Sequence, residues 1–223
     1  MAGLLVASGE FEKAEEVLSN PIVVDPPPAV RAGFATTELI MASWRGDVEA
    51  VDRLHAEVQS LMEVIDDPQV IAYTRANGIE VAIAHDELER AFAESIGNLN
   101  RDWNEVAETV GSPLLAAGLL GDPDRFARLV PKYQRFHPRF GEYLTIARIL
   151  ADAGTGRVDS QEIDAIIAER SDLGLLADVV VFSISAANFL TSERKAEYVS
   201  SVRSIATERG WHGILRLIDR YLT

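Results

Sequence analysis

Residues Ala7–Leu18 read ASGEFEKAEEVL. Gly9 breaks a short apolar run, Glu10 follows, and Phe11, Ala14, Val17 and Leu18 then recur at three- and four-residue steps. That spacing places the four apolar residues on one face of a helix. The glycine can take the left-handed conformation that ends a preceding helix. The acid favours the positive N-terminal end of the next one. A helix, a glycine turn and a second helix are therefore encoded in twelve residues.

The same punctuation returns along the chain. SWRGDVEAVDRL, AHDELERAFAES, LLGDPDRFARLV and LTSERKAEYVSS each join a polar turn to a charged first helical turn and then an apolar position. The apolar positions are Ala14, Val51, Ala91, Phe126 and Ala196. The turns fall at Gly9, Gly46, Asp86, Gly121, Gly156 and Thr191, about 35 to 40 residues apart, which is the period of paired-helix arrays. Two helices of about 14 residues with two short loops fill one such period. A hairpin of that size cannot bury its apolar face alone and must stack on its neighbours.

ASGEFEKAEEVL resembles the tetratricopeptide pattern at the turn between its two helices, with Gly9, Glu10, Phe11 and the small Ala14 at the helix crossing. RGDVEAV and HDELERAF match more loosely, and the Trp, Tyr and terminal Pro signatures do not recur regularly. The resemblance implies an all-α, right-handed superhelix of about six stacked hairpins in a single domain over 1–223. It is similar, more distantly, to the C-terminal helical arrays of bacterial signalling ATPases, LuxR-type regulators and multidomain adenylate cyclases. In such arrays the inner groove binds peptides. The expected function is thus a non-catalytic protein- or peptide-binding module, a sensor or scaffold in a cytoplasmic bacterial regulatory protein. The other reading is a small-molecule effector-sensing array.

Both ends depart from the repeat. Ala2–Ser8 gives only about two helical turns, so the chain reads as part of a longer array or as an edge open to self-association. WHGILRLIDRYLT places Ile214, Leu217, Ile218 and Tyr221 on one side and reads as a C-terminal cap.

Composition narrows the classes. The chain has 223 residues, 48% of them hydrophobic, and a formal net charge of −14. That charge opposes the neutralisation of phosphates that nucleic-acid binding needs, and it opposes an anionic membrane surface. No stretch approaches the roughly 20 apolar residues of a membrane span. There is no cysteine, which removes disulfides, thiolate metal sites and cysteine nucleophiles.

Motifs for chemistry are sparse. His85, Asp86 and Glu87 are consecutive, so their side chains diverge on a helix, and they read as a turn. GDPDRF offers Asp122 as an N-cap and Pro123 at the first helical position. DAGTGRVDSQEI, Asp152–Ile163, imitates a calcium loop when aligned on Gly156, but Ala151 and Ala153 then occupy ligand positions one and three. Asp159 or Ser160 reads instead as the cap of the next helix. His55, His85, His137 and His212 are scattered, and Trp44, Trp103 and Trp211 read as packing residues. No catalytic residue, metal site or cofactor is expected.

Two polar stripes remain. Asp178, Ser185 and Asn188 lie at helical spacing on the otherwise apolar LLADVVVFSISAANFL, and Tyr73, Asn77 and Glu80 form a similar stripe earlier. Facing the inner surface of a superhelix, they would line the partner-binding groove. The structural alternative is local bonding to the preceding helical turn.

Overall fold

The computed structural model describes residues 2–19, 25–99, 111–136, 141–156 and 158–223. Trp103 and His137 lie outside them, as do residues 21–24 of the Pro-rich connection. The described residues are helical and contain no strand. The order is α1 (Ala2–Ala7), α2 (Phe11–Leu18), α3 (Pro28–Arg45), α4 (Val48–Met62), α5 (Pro68–Arg75), α6 (Asn77–Ala84) and α7 (Leu88–Leu99). There follow α8 (Gly111–Leu120), α9 (Pro123–Phe136), α10 (Gly141–Ala151), α11 (Ser160–Asp172), α12 (Leu176–Ala187), α13 (Ser192–Glu208) and α14 (His212–Tyr221). None is long and apolar enough to cross a membrane.

The turns are set by backbone conformation. Gly9, Gly46, Gly121 and Gly156 have φ between +67° and +77°, and Asp86 reaches +64° without being glycine. Thr191 differs: its backbone is extended and its hydroxyl accepts the Arg194 amide at 3.4 Å, so it caps α13 without a left-handed turn. Asp47 and Asp159 also cap their helices, Asp159 accepting from the amides of Gln161 and Glu162 at 3.0 and 3.1 Å. Of the five marker positions Ala14, Val51, Ala91 and Phe126 are buried. Ala196 is exposed, because α13 turns Tyr198, Val202 and Ala206 inward.

The stacking is not that of a uniform array. α3 pairs with α4, and α6 with α7, as a hairpin repeat requires. Further on, α10 packs on α9 in place of its expected partner α11, while α12 pairs with α13 as the repeat requires and also carries α11. α10 and α11 have at most slight contact across the Gly156 turn. Between them opens a cavity of about 360 Å³ lined by Thr145, Arg148, Ile149, Asp152, Asp159 and Glu162. α8 meanwhile packs chiefly against α12, past α10.

Gly118 explains that contact. A Cβ built on it would lie 2.3 Å from Ser185 Cα, so backbone meets backbone where α8 crosses α12. Both helices are mostly apolar and are buried over Pro113–Leu119 and Val179–Ala187, as helices enclosed by protein are.

The two ends of the chain meet. α14 packs on α3 and α8 as well as on α13, and α1 packs on α3 and α12. Trp211, wholly buried, stacks against Phe11 at 5.2 Å and against Trp44 edge-on at 4.8 Å between ring centroids. Gly213 lies so close to α3 that a Cβ there would fall 2.2 Å from the Ser43 carbonyl oxygen. Arg216 donates to the Ala84 carbonyl at 2.6 Å. One hydrophobic core therefore runs from Phe11 to Leu222. The short first helix packs on α2, α3 and α12 and stays half-buried, and Gly9 at its end lies against Trp211. The accessible surface is 10603 Å², close to the roughly 10,000 Å² of a compact monomer of this mass.

Two glycine substitutions separate crossing from helix propensity. Gly118→Ala should lower the unfolding free energy by about 1–3 kcal/mol, since backbone must move aside. Gly33→Ala, with open space around its Cβ, should raise it by about 0.5–1 kcal/mol. Urea denaturation of both variants checks the pair.

Candidate functional site

The first stripe faces α3. Tyr73 ends α5, and a tight turn at Ala76 restarts the helix so that Asn77 and Glu80 follow on the same side. Tyr73 Oη lies 3.3 Å from Thr37 Oγ1. Asn77 Nδ2 donates to Thr36 Oγ1 at 3.0 Å, and Ser43 Oγ donates to the Glu80 carbonyl at 3.4 Å. Thr36, Ser43, Asn77 and Glu80 are all buried. The three stripe residues thus form a polar ladder between α3 and α5–α6.

Glu80 also reaches α8. Its Oε1 accepts the hydroxyl of Ser112, while its Oε2 is buried without a partner among the described residues. Burial raises its pKa above the ordinary carboxylate range, and the Ser112 and Ser43 hydroxyls oppose that shift.

The second stripe divides. In the first turn of α12, Asp178 accepts the Tyr143 hydroxyl at 2.5 Å, and Arg170 stands 3.9 Å from its other oxygen while pairing with Glu142 at 2.6 Å. Burial raises the Asp178 pKa, against the Tyr143 hydrogen bond and the Arg170 charge. Ser185 is buried at the α8–α12 crossing and donates to the Val181 carbonyl one turn back, at 2.7 Å. Asn188 bridges helices, donating to the Gly118 carbonyl at 3.0 Å and accepting from Lys195 Nζ at 3.3 Å.

The six residues therefore do not line one open groove. Asn77, Glu80 and Ser185 are interior, and Tyr73, Asp178 and Asn188 are half-buried with neighbours to bond. The inner helices have turned their polar groups toward one another. The two clusters are joined at the start of α8: Ser112 holds Glu80, and a Cβ on Gly111 would lie 3.4 Å from Val181 and 3.7 Å from Tyr143.

Thr36, Ser43, Ser112, Tyr143 and Arg170 complete these clusters and were not singled out in the sequence. A signal for several of them exists. Thr37 and Tyr73 are 36 residues apart, Ser43 and Glu80 37, Tyr143 and Asp178 35, and Asp164 and Tyr198 34. Other bonds between helices fall outside that spacing, Ser112 to Glu80 at 32 residues and Asn77 to Thr36 at 41.

The remaining candidates are structural. His85 ends α6 and bonds Asp52 at 2.8 Å, and Asp86 makes the left-handed turn. Asp122 accepts the Asp124 amide at 3.0 Å, and Trp44 and Trp211 are core residues. Among the described residues no three His, Asp or Glu side chains are placed to hold a metal ion, and Asp159 in the calcium-like stretch caps α11.

Comparison with protein-family models, curated proteins and solved structures finds no match to this chain.

Burial changes what replacing Asn77 should do. As a groove residue it would be dispensable for folding. As a rung between α6 and α3, Asn77→Ala should cost about 1–3 kcal/mol of stability by removing the Thr36 bond. Thermal and urea unfolding of the variant measure this.

Proposed function

We propose that the chain is a non-catalytic interaction module that binds a protein or peptide, as the sensor or scaffold part of a bacterial regulatory protein. On this reading it is a tetratricopeptide-like right-handed superhelix of hairpins that has curled until its inner face closed. Support comes from the left-handed turns at Gly9, Gly46, Asp86, Gly121 and Gly156, spaced 35 to 40 residues apart, a spacing that four inter-helix hydrogen bonds approach. The observation that carries the reading is the closure of α14 and α1 on α3. It leaves the outer helices α4, α7, α9, α11 and α13 as the broad solvated surface. The net charge of −14 favours a partner of basic character.

A second reading has its own observation. The unpartnered Glu80 oxygen lies inside the helical layers, where a buried effector could meet it. Effector sensing would then be the function, with the outer helices passing the signal on.

The two readings separate by titration. Proteins retained from native lysate are identified, purified and titrated against the chain by calorimetry at two salt concentrations. The interaction reading expects a saturable complex that weakens as salt rises. Absence of any saturable protein complex, together with a thermal shift by small metabolites, would instead establish the effector reading.

A further inference from the structure

Where α3, α6 and α8 meet, one acidic side chain is enclosed with no positive charge beside it among the described residues. Glu80 is 3% exposed. Its Oε1 accepts the hydroxyl of Ser112 in the first turn of α8, the Ser43 hydroxyl stands close enough to favour its charged form, and Oε2 has no close partner among the described residues. α3 presents only neutral groups here, Thr36 and Ser43. On α7, Glu94 lies against Gly78 and is held by Arg90 at 2.7 Å. On α4, His55 is half-buried, and Asp52 is bonded to His85 at 2.8 Å. The influences on the Glu80 proton are burial, which raises its pKa, and the Ser112 and Ser43 hydroxyls, which lower it.

We propose that Glu80 is a protonation latch: the neutral acid holds the start of α8 against α6, and loss of its proton parts them. An ionised carboxylate enclosed with hydroxyls alone and no counter-charge among the described residues is costly, and hydration relieves it. Water reaches it when Ser112 moves away. α8 also packs on α12 and α10, so the movement reaches the helices that carry Asp178 and Tyr143. The interior rungs Thr36, Asn77 and Glu80 then become a hydrated face.

The pH direction follows from the raised pKa. The folded chain binds this proton more tightly than the unfolded chain, whose ordinary value is 4.5. The stabilisation is complete below that value and is lost as pH rises through the folded value. Between the ordinary value and the folded value, an opening linked to one proton grows with pH, by at most about tenfold per pH unit, and above the folded value it levels off.

The test is a carbon-detected NMR titration of the Glu80 carboxyl in the wild-type chain, with amide hydrogen exchange of α6 and the start of α8 measured over the same pH series. Exchange rates are divided by the intrinsic rate at each pH. The expected result is a Glu80 midpoint above those of the exposed glutamates, such as Glu12 and Glu49. The opening constant should rise with pH between the ordinary glutamate value and the Glu80 midpoint in wild type, by at most about tenfold per pH unit, then level off, and stay flat in Glu80→Gln. Ser112→Ala should move the Glu80 midpoint further up. A Glu80 midpoint among the exposed glutamates would overturn the proposal, as would equal pH dependence of exchange in wild type and Glu80→Gln. Should Glu80→Gln fail to fold, the wild-type titration alone decides.

Discussion

The backbone contact between α8 and α12 governs the rest of the structure. It requires a residue without a side chain at 118, because any Cβ there would occupy the space of Ser185 Cα. Once α8 lies on α12, the α10–α11 segment cannot stack between them. α10 then folds back on α9, and α11 on α12. Asn188 reaches the Gly118 carbonyl only because the helices are this close. The closing of α14 over α3 and α8 completes the same arrangement, with Gly213 and Trp211 fitted to the first hairpins.

This closure explains the polar residues inside. In an open array an inner stripe faces solvent and is free to recognise a partner. Here the inner faces meet, so each polar group must find a bond in the next helix or carry the cost of burial. Asn77 finds Thr36, Asn188 finds Gly118, and Ser185 bonds its own helix. Glu80 finds only Ser112 and keeps one oxygen unsatisfied. The same polar ladder also fixes register, because sliding α6 by one turn against α3 would break every rung.

Local signals made the elements and turns legible in the sequence. Gly9, Gly46, Asp86, Gly121 and Gly156 were readable because left-handed backbone favours glycine or a short polar residue. Gly174 and Gly210 adopt the same conformation at the ends of α11 and α13, and the single-turn period passed over them. The exposure of Ala196 and the packing of α10 on α9 were not legible. Both depend on which distant helix arrives, and a glycine inside an apolar run such as GSPLLAAGLL looks locally like a mere loss of helix propensity. The stripes were legible as stripes, since helical spacing is local. Their burial was not, because it depends on a helix 36 to 70 residues away.

The central claim is that the hairpins close on one another instead of opening into a groove. Small-angle X-ray scattering on the monomer peak of a sizing column tests it most directly. A closed chain of this length should have a radius of gyration of about 17 Å. A value well above 20 Å, with the elongated distance distribution of an open solenoid, would contradict the account.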